Sequence, residues 1–158
     1  MHKTKNDLPE PTRKLIADLL NARLADSVDL MMQAKQAHWN VKGANFIALH
    51  ELFDKIVDDA EEYMDLIAER AVQLGATAEG TITVAVRRSH LEAYPLEITD
   101  SAAHVEALSS ALARYGAAAR KAIDEADRHG DKDTADLFTE ISRGVDKWLW
   151  FVEAHLQH

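Results

Sequence analysis

Two pairs of residues with metal-binding side chains occur in one helical stretch of the sequence. His50 precedes Asp54 by four residues, and Asp65 precedes Glu69 by the same distance. Residues four apart lie one above the other on a helix face, so each pair offers two donor groups to one cation. Imidazole and carboxylate suit Fe(II), although zinc and manganese accept the same ligands. The spacing predicts metal binding and leaves the identity of the metal open.

The two pairs share a helix face but lie too far apart to hold a single ion. At about 100° and 1.5 Å per residue, Asp54 and Asp65 differ by roughly 20° and are about 16 Å apart along the axis. Metal–ligand bonds are only about 2.0–2.2 Å, taking the values of zinc as a guide. Each site therefore needs ligands from elsewhere.

A second copy of the helix can supply those ligands. In two antiparallel helices related by a two-fold axis, facing positions have a constant sum, and 50 with 69 gives the same sum as 54 with 65. Two-fold, self-complementary interfaces are the commonest kind in homo-oligomers. The sequence therefore predicts two equivalent metal sites between two subunits.

The ligand row is separate from the apolar stripe of the same helix. The stripe lies about 120° away and recurs at three- and four-residue spacing. Its members are Phe46, Leu49, Phe53, Ile56, Ala60, Met64, Ile67, Ala71 and Leu74. The chain also lacks the Glu-x-x-His motif of di-iron sites inside single bundles. Any one of these acids could be an ordinary solvated charge, but stacked like charges destabilise a helix slightly without a cation.

Composition limits what the surrounding elements can be. The 158 residues suffice for one domain with a core, and the absence of cysteine excludes disulfides and thiolate metal sites. No apolar stretch is long enough to span a membrane, and no apolar signal segment stands at the N-terminus. We therefore expect a soluble cytoplasmic protein. The net charge of −9 gives no overall attraction to nucleic acid.

The elements that position the ligands follow from caps and periodicity. We expect residues 1–11 to form a flexible N-terminal tail and 12–158 to form the folded domain, with Thr12 as the first N-cap. The first helix runs to about His38. A turn at residues 43–45 then brings His38 back alongside His50, and the second helix ends at Gly75.

The rest of the chain completes a four-helix bundle. Residues 76–99 form a long crossover with a short helix at about 81–88. The third helix begins at Asp100 or Ser101 and ends at residues 129–130. The fourth begins at Asp131 or Asp133. The predicted fold is all-α, with one long connection between the second and third helices of the bundle.

A longer pattern surrounds the ligand pairs. From His38 to Asp54 the chain reads His-Trp-Asn-Val-x-Gly-x-x-Phe-x-x-Leu-His-x-x-Phe-Asp, and Asp65-x-x-x-Glu69-Arg70 follows. This pattern resembles the DNA-binding proteins from starved cells (Dps), a branch of the ferritin-like proteins. The likeness extends over nearly the whole chain after about residue 12. It implies a ferritin-like bundle whose two-fold dimers build a dodecameric hollow shell.

The resemblance also implies a function. The expected activity is ferroxidase: Fe(II) is oxidised, preferably by hydrogen peroxide, and Fe(III) is stored in the shell, which protects DNA from oxidative damage. The ligands would be His38, His50 and Asp54 of one chain, with Asp65 and Glu69 of its partner.

Other residues receive weaker assignments. Trp39 is expected beside the site, either as packing or as an oxidisable ring that intercepts radicals. Three acids of the fourth helix could line an acidic pore for iron entry, namely Asp133, Asp136 and Asp146. For Asp133 the favourable interaction of an acid with a helix N-terminus explains its position equally well.

Two alternative functions stay open at this point. The first is a DNA-coating protein that binds nucleic acid non-specifically, using Lys3 and Lys5 of the tail, with metal binding secondary. The second is a two-metal enzyme acting on an organic substrate, which needs an open apolar pocket beside the metals. The tail has few positive charges, which argues against the DNA-coating protein. A ligand row at a subunit interface leaves little room for an organic substrate, which argues against the two-metal enzyme.

Overall fold

Four long helices and one short helix make up the fold. The computed structural model describes residues 1–157. Its helices are α1 (Glu10–Asn40), α2 (Phe46–Gln73), α3 (Ile82–Arg88), α4 (Ser101–Arg128) and α5 (Lys132–Glu153). Helices α1 and α2 pair as one hairpin, α4 and α5 as a second, and α3 lies against α1 within the crossover that joins them. The predicted all-α bundle with a long crossover is confirmed.

The core lies between the four long helices. Its fully buried side chains recur at helical spacing, which is what drives each helix to pack. They include Ile16, Leu20, Phe53, Ile56, Ile67, Leu108, Tyr115 and Phe138. The predicted stripe of α2 is buried except at Met64, which is half-buried, and at its start, where Phe46 is exposed. Phe46 is the first residue of α2, and its ring lies near that of His50, with centroids 5.1 Å apart.

None of the helices in residues 1–157 is long and apolar enough to cross a membrane.

Helix ends follow the predicted caps in α4 and α5. The Asp100 carboxylate accepts the backbone N–H of Ala103, and the Asp131 carboxylate accepts that of Thr134. Gly130 follows α4 with a φ of 81°, in the left-handed region that favours glycine.

The predicted start of α1 is wrong. The helix begins at Glu10 rather than after Thr12, with Pro9 at the N-cap and Pro11 in the first turn. Proline suits a first helical turn because its missing N–H would have no partner there and its φ is already helical. The two prolines therefore start the helix without a side-chain cap.

The first residues of the chain lie against the end of α2. The backbone N–H of His2 donates to the carbonyl of Gly75 over 2.5 Å. The buried Arg13 side chain donates to the carbonyl of Leu8 over 3.0 Å and to that of Leu74 over 2.9 Å. The last carbonyls of a helix have no partner within the helix itself. The N-terminal segment, through His2, and the first turn of α1, through Arg13, thus supply donors at the end of α2.

A buried ion pair fastens α2 to the start of α5. Arg70 Nη2 donates to Asp131 Oδ1 over 2.7 Å, and Arg70 Nε donates to Thr134 Oγ1 over 3.0 Å. Thr134 in turn donates its hydroxyl to Asp131 Oδ2 over 2.6 Å. We refer to these three residues as the Arg70–Asp131 clasp. It fixes the last turns of α2, which carry Glu69, relative to the second hairpin.

Candidate metal centre

The end of α1 and the beginning of α2 bring two histidines together. The rings of His38 and His50 stack with centroids 3.7 Å apart. His38 Nδ1 lies 2.8 Å from the carbonyl oxygen of His50, and His50 Nδ1 lies 2.9 Å from the carbonyl oxygen of His38. The prediction that the turn returns His38 to the level of His50 is confirmed. The two side chains hold each other through reciprocal bonds to the backbone.

These bonds set the tautomer of both rings. A carbonyl oxygen only accepts hydrogen bonds, so each Nδ1 must carry the hydrogen. In a neutral imidazole the lone pair then stands on Nε2, the atom left to bind a metal ion. Metal-binding histidines usually donate their other N–H to a carbonyl or carboxylate, which fixes the ring. The donor set of His38 and His50 therefore fits a metal ion.

Asp54 lies beside this pair and is already engaged by a lysine. Its Oδ1 is 3.7 Å from His38 Nδ1 and accepts a hydrogen bond from Lys35 Nζ over 2.5 Å. The hydrogen bond from Lys35 holds the pKa of the Asp54 carboxyl below its ordinary value. Sequence reasoning missed Lys35. The available signal was its position one helical turn before His38, on the same face of α1.

Asp65 and Glu69 stand further along α2 and are both exposed. Within residues 1–157, neither carboxylate pairs with a basic side chain within 4.0 Å. The same region contains no group of three or more His, Cys, Asp or Glu side chains placed to hold a metal ion. The chain therefore presents two separate half-sets of ligands, and completing a site from a second subunit stays a prediction.

Trp39 and the three acids of α5 are also on the surface. Trp39 is 59% exposed in the single chain, so its packing beside a metal site stays a prediction that depends on another subunit. Asp133 and Asp136 lie near the start of α5, and Asp146 accepts a hydrogen bond from Arg120 over 2.8 Å. Asp146 is about 20 Å further along the helix than Asp133. A shared pore for these acids stays a prediction as well.

Comparison with known proteins places the fold. A ferritin-like domain model matches residues 17–158. The DNA protection during starvation protein of Agrobacterium fabrum is 48% identical over 159 residues, covering 99% of this chain and 96% of that protein. The tetragonal form of Mycobacterium smegmatis Dps has a TM-score of 0.95 at 32% identity and covers 100% of this chain and 95% of its own. Dps from Microbacterium arborescens, in the high iron form, has a TM-score of 0.87 at 34% identity over 97% of each chain.

These matches define the class of the protein. The chain belongs to the ferritin-like family. Within that family the relatives named above are Dps proteins, and the resemblance read from the His38–Asp54 pattern is confirmed.

Proposed function

We propose that this protein is a ferroxidase and iron-storage protein of the Dps type. It would oxidise Fe(II) at sites shared by two subunits and keep Fe(III) inside a hollow shell, thereby protecting DNA. The observation that carries the proposal is the reciprocal His38–His50 pair, which leaves the Nε2 atoms of both rings to bind a metal ion. The Asp54 carboxylate lies 3.7 Å from His38 Nδ1. The relative solved in a high iron form supports iron as the metal.

The residues divide the work between two subunits. Fe(II), the substrate, binds to His38, His50 and Asp54 of one subunit, and to Asp65 and Glu69 of the other. The neutral imidazoles set the position of the ion, and the carboxylates offset its charge, which favours Fe(III) over Fe(II). With hydrogen peroxide as oxidant, two Fe(II) each lose one electron. The peroxide accepts both electrons, its O–O bond breaks, and the two oxygen atoms take up two protons to give two waters.

The surface around the second half-set suits a subunit contact. Val72, Ile82 and Val86 are exposed near the end of α2 and on α3. Exposed apolar side chains of this size are typical of protein–protein contacts when they form a contiguous patch. A two-fold contact along α2 and α3 would bury them and place Asp65 and Glu69 opposite the histidines. We expect such dimers to build the dodecameric shell that the Dps resemblance implies.

The test removes the two carboxylates, Asp65 and Glu69, that we assign to the second subunit. In Asp65→Ala with Glu69→Ala, we expect rapid Fe(II) oxidation to fall by at least on the order of 100-fold, since losing even an outer partner of a metal ligand costs about 10–100-fold. The measurement is anaerobic Fe(II) titration of the assembled protein followed by stoichiometric peroxide, with the ferric absorbance recorded. Repeating it in aerated buffer compares peroxide with dioxygen.

A matched control uses another acid pair of α2. Asp58 and Glu62 are also four apart and exposed, but by the same facing rule they meet positions 61 and 57 of a partner. Asp58→Ala with Glu62→Ala should therefore keep near-normal kinetics. Size-exclusion chromatography verifies assembly of every variant. Normal oxidation by the assembled Asp65 and Glu69 variant would overturn the site.

A further inference from the structure

A groove outside the metal centre lies between α1, α4 and the end of the crossover. It encloses about 420 Å³. Its polar lining consists of Arg23 and Asp26 from α1, His90 from the crossover, and Arg114 and Lys121 from α4. We refer to it as the basic groove. It has three permanent cations and a single acid in its lining, in a chain whose net charge is −9.

The one acid of the basic groove is committed to holding its neighbours. Asp26 is completely buried. Its Oδ1 accepts the backbone N–H of His90 over 2.7 Å, and its Oδ2 lies 2.9 Å from Arg23 Nε. A buried carboxylate needs such partners, since desolvation would otherwise be costly. Asp26 therefore fixes Arg23 and His90 in place.

The side chains held by Asp26 present hydrogen-bond donors. Arg23 Nη2 lies 3.2 Å from His90 Nδ1. A guanidinium only donates, so Nδ1 accepts and the neutral His90 ring carries its hydrogen on Nε2. The His90 side chain is mostly exposed, which leaves this N–H available to a ligand. Arg23 and His90 thus add donors to the groove and no free acceptor.

The two cations from α4 complete the donor set. Among residues 1–157, Arg114 forms an ion pair with Glu92 alone, an exposed residue outside the groove lining. Lys121 is exposed, and among residues 1–157 no carboxylate lies within 4.0 Å of its ammonium group. Exposed pairs such as Arg114–Glu92 are weak and exchange readily. Both cations are therefore free to turn toward an anion.

We propose that the basic groove binds a phosphate group, supplied by the DNA backbone or by free inorganic phosphate. Phosphate oxygens accept several hydrogen bonds at once, and the planar guanidinium matches them in bidentate geometry. Only donors are offered at Arg23, His90, Arg114 and Lys121. The inference is independent of the ferroxidase proposal, because no residue of the groove belongs to the metal centre.

The test reverses the two exposed charges of α4. Arg114→Glu with Lys121→Glu leaves the buried Arg23–Asp26 pair intact, so folding should be preserved. Isothermal titration with inorganic phosphate, and anisotropy of a short fluorescein-labelled DNA duplex at low salt, measure the two sources of the phosphate group. We expect at least about a tenfold loss of affinity for the true source, because each substitution replaces a donor to the charged phosphate with a carboxylate that repels it.

The control is Arg143→Glu, an exposed arginine of α5 that lies outside the basic groove. It matches the charge change per site and should alter affinity less than about twofold, within the range of ordinary surface substitutions. Circular dichroism, size-exclusion chromatography and Fe(II) oxidation should be unchanged in both variants. If the double variant does not fold, Lys121→Gln replaces it.

The outcomes separate the two sources. Loss of DNA binding in the double variant, with phosphate competing against DNA in the wild type, assigns the groove to the DNA backbone. In that case the salt dependence of binding should also weaken, by about 0.9 in slope for each phosphate contact removed. Loss of phosphate binding alone assigns the groove to the free anion. The proposal fails if the wild type binds neither probe saturably, or if the double variant binds both as tightly as Arg143→Glu.

Discussion

Two ion pairs at opposite ends of α2 differ in how far water reaches them. In the Arg70–Asp131 clasp, the side chains are 10% and 1% exposed. In the pair of Lys35 with Asp54, they are 29% and 46% exposed. The nitrogen–oxygen distances are similarly short, 2.7 and 2.5 Å. Geometry alone therefore does not distinguish a pair that holds the fold from a pair that can open.

Burial makes the distinction. If one partner of a buried pair is lost, the other is left charged without water, at a cost of several kcal/mol. An exposed pair contributes at most about 1 kcal/mol, because water and other ions replace either partner. The clasp is accordingly structural. Lys35 is a cation that another cation can displace from Asp54, which is a useful property at a metal ligand.

The largest expected effect comes from opening the clasp. Asp131→Ala leaves Arg70 buried without its partner and removes the N-cap of α5, so the free energy of unfolding should fall by about 3–5 kcal/mol. Urea unfolding at equal protein concentration measures this. The control is Asp133→Ala, an exposed acid 3.7 Å from Arg70, which should cost at most about 0.5 kcal/mol. Equal losses in the two variants would contradict the structural role of burial.

A smaller effect is expected at the exposed pair. Lys35→Met removes the ammonium group that competes for Asp54, so Fe(II) affinity should rise roughly two- to fivefold, which corresponds to an exposed pair. Anaerobic Fe(II) titration measures the change, and stability should be almost unaffected. Lys55→Met, at an exposed lysine of α2 outside the pair, serves as control. A drop in affinity would mean that Lys35 orients Asp54 for the metal rather than competing with it.

The smallest effect concerns a buried polar contact that carries no charge. His104 is buried, and its Nδ1 lies 2.7 Å from the Tyr94 hydroxyl. Burial lowers the pKa of His104. The unfolded chain therefore takes up a proton more readily than the folded chain, so stability should decrease as the pH falls below the ordinary histidine pKa of about 6.5.

Thermal unfolding above and below that pH checks the His104 prediction. His104→Gln should show a smaller decrease in melting temperature on acidification than the wild type. His155→Gln, at an exposed histidine, should behave as the wild type does. An unchanged pH dependence in His104→Gln would assign the acid sensitivity to other groups.

Much of the arrangement was predictable because it depends on local spacing. The 3–4 rhythm of α2 and the glycine after its end predicted the helix, and the turn near residue 43 predicted that His38 meets His50. The reciprocal bonds of the two rings were not predictable. They depend on the rotamers of both side chains and on how closely the two helices approach. Residue spacing predicts neither of these.

Contacts between distant segments were missed for the same reason. The Arg70–Asp131 clasp and the basic groove join side chains from helices that lie far apart in the chain. Asp131 was one of the two residues expected to start α5, with Asp133 as the other, and it is the N-cap. A cap is predictable because it is local. The partner of Asp131, Arg70, became evident only when the two hairpins were packed together. The predicted start of α1 at Thr12 was wrong because the helix begins earlier, where Pro9 and Pro11 suit its first turn.

The N-terminal segment connects the start of the chain to the end of the helix that carries the metal ligands. Its His2 N–H donates to the carbonyl of Gly75, six residues after Glu69. Its Leu8 carbonyl accepts from Arg13 of α1, which in turn donates to the carbonyl of Leu74. Any event that pulls residues 1–8 away, such as a fused tag, proteolytic trimming or capture of Lys3 and Lys5 by a polyanion, removes the His2 donor at Gly75 and the Leu8 carbonyl that accepts from Arg13. A change in the N-terminal segment therefore alters contacts at the end of the helix that carries Asp65 and Glu69. A tag fused there is not a neutral addition.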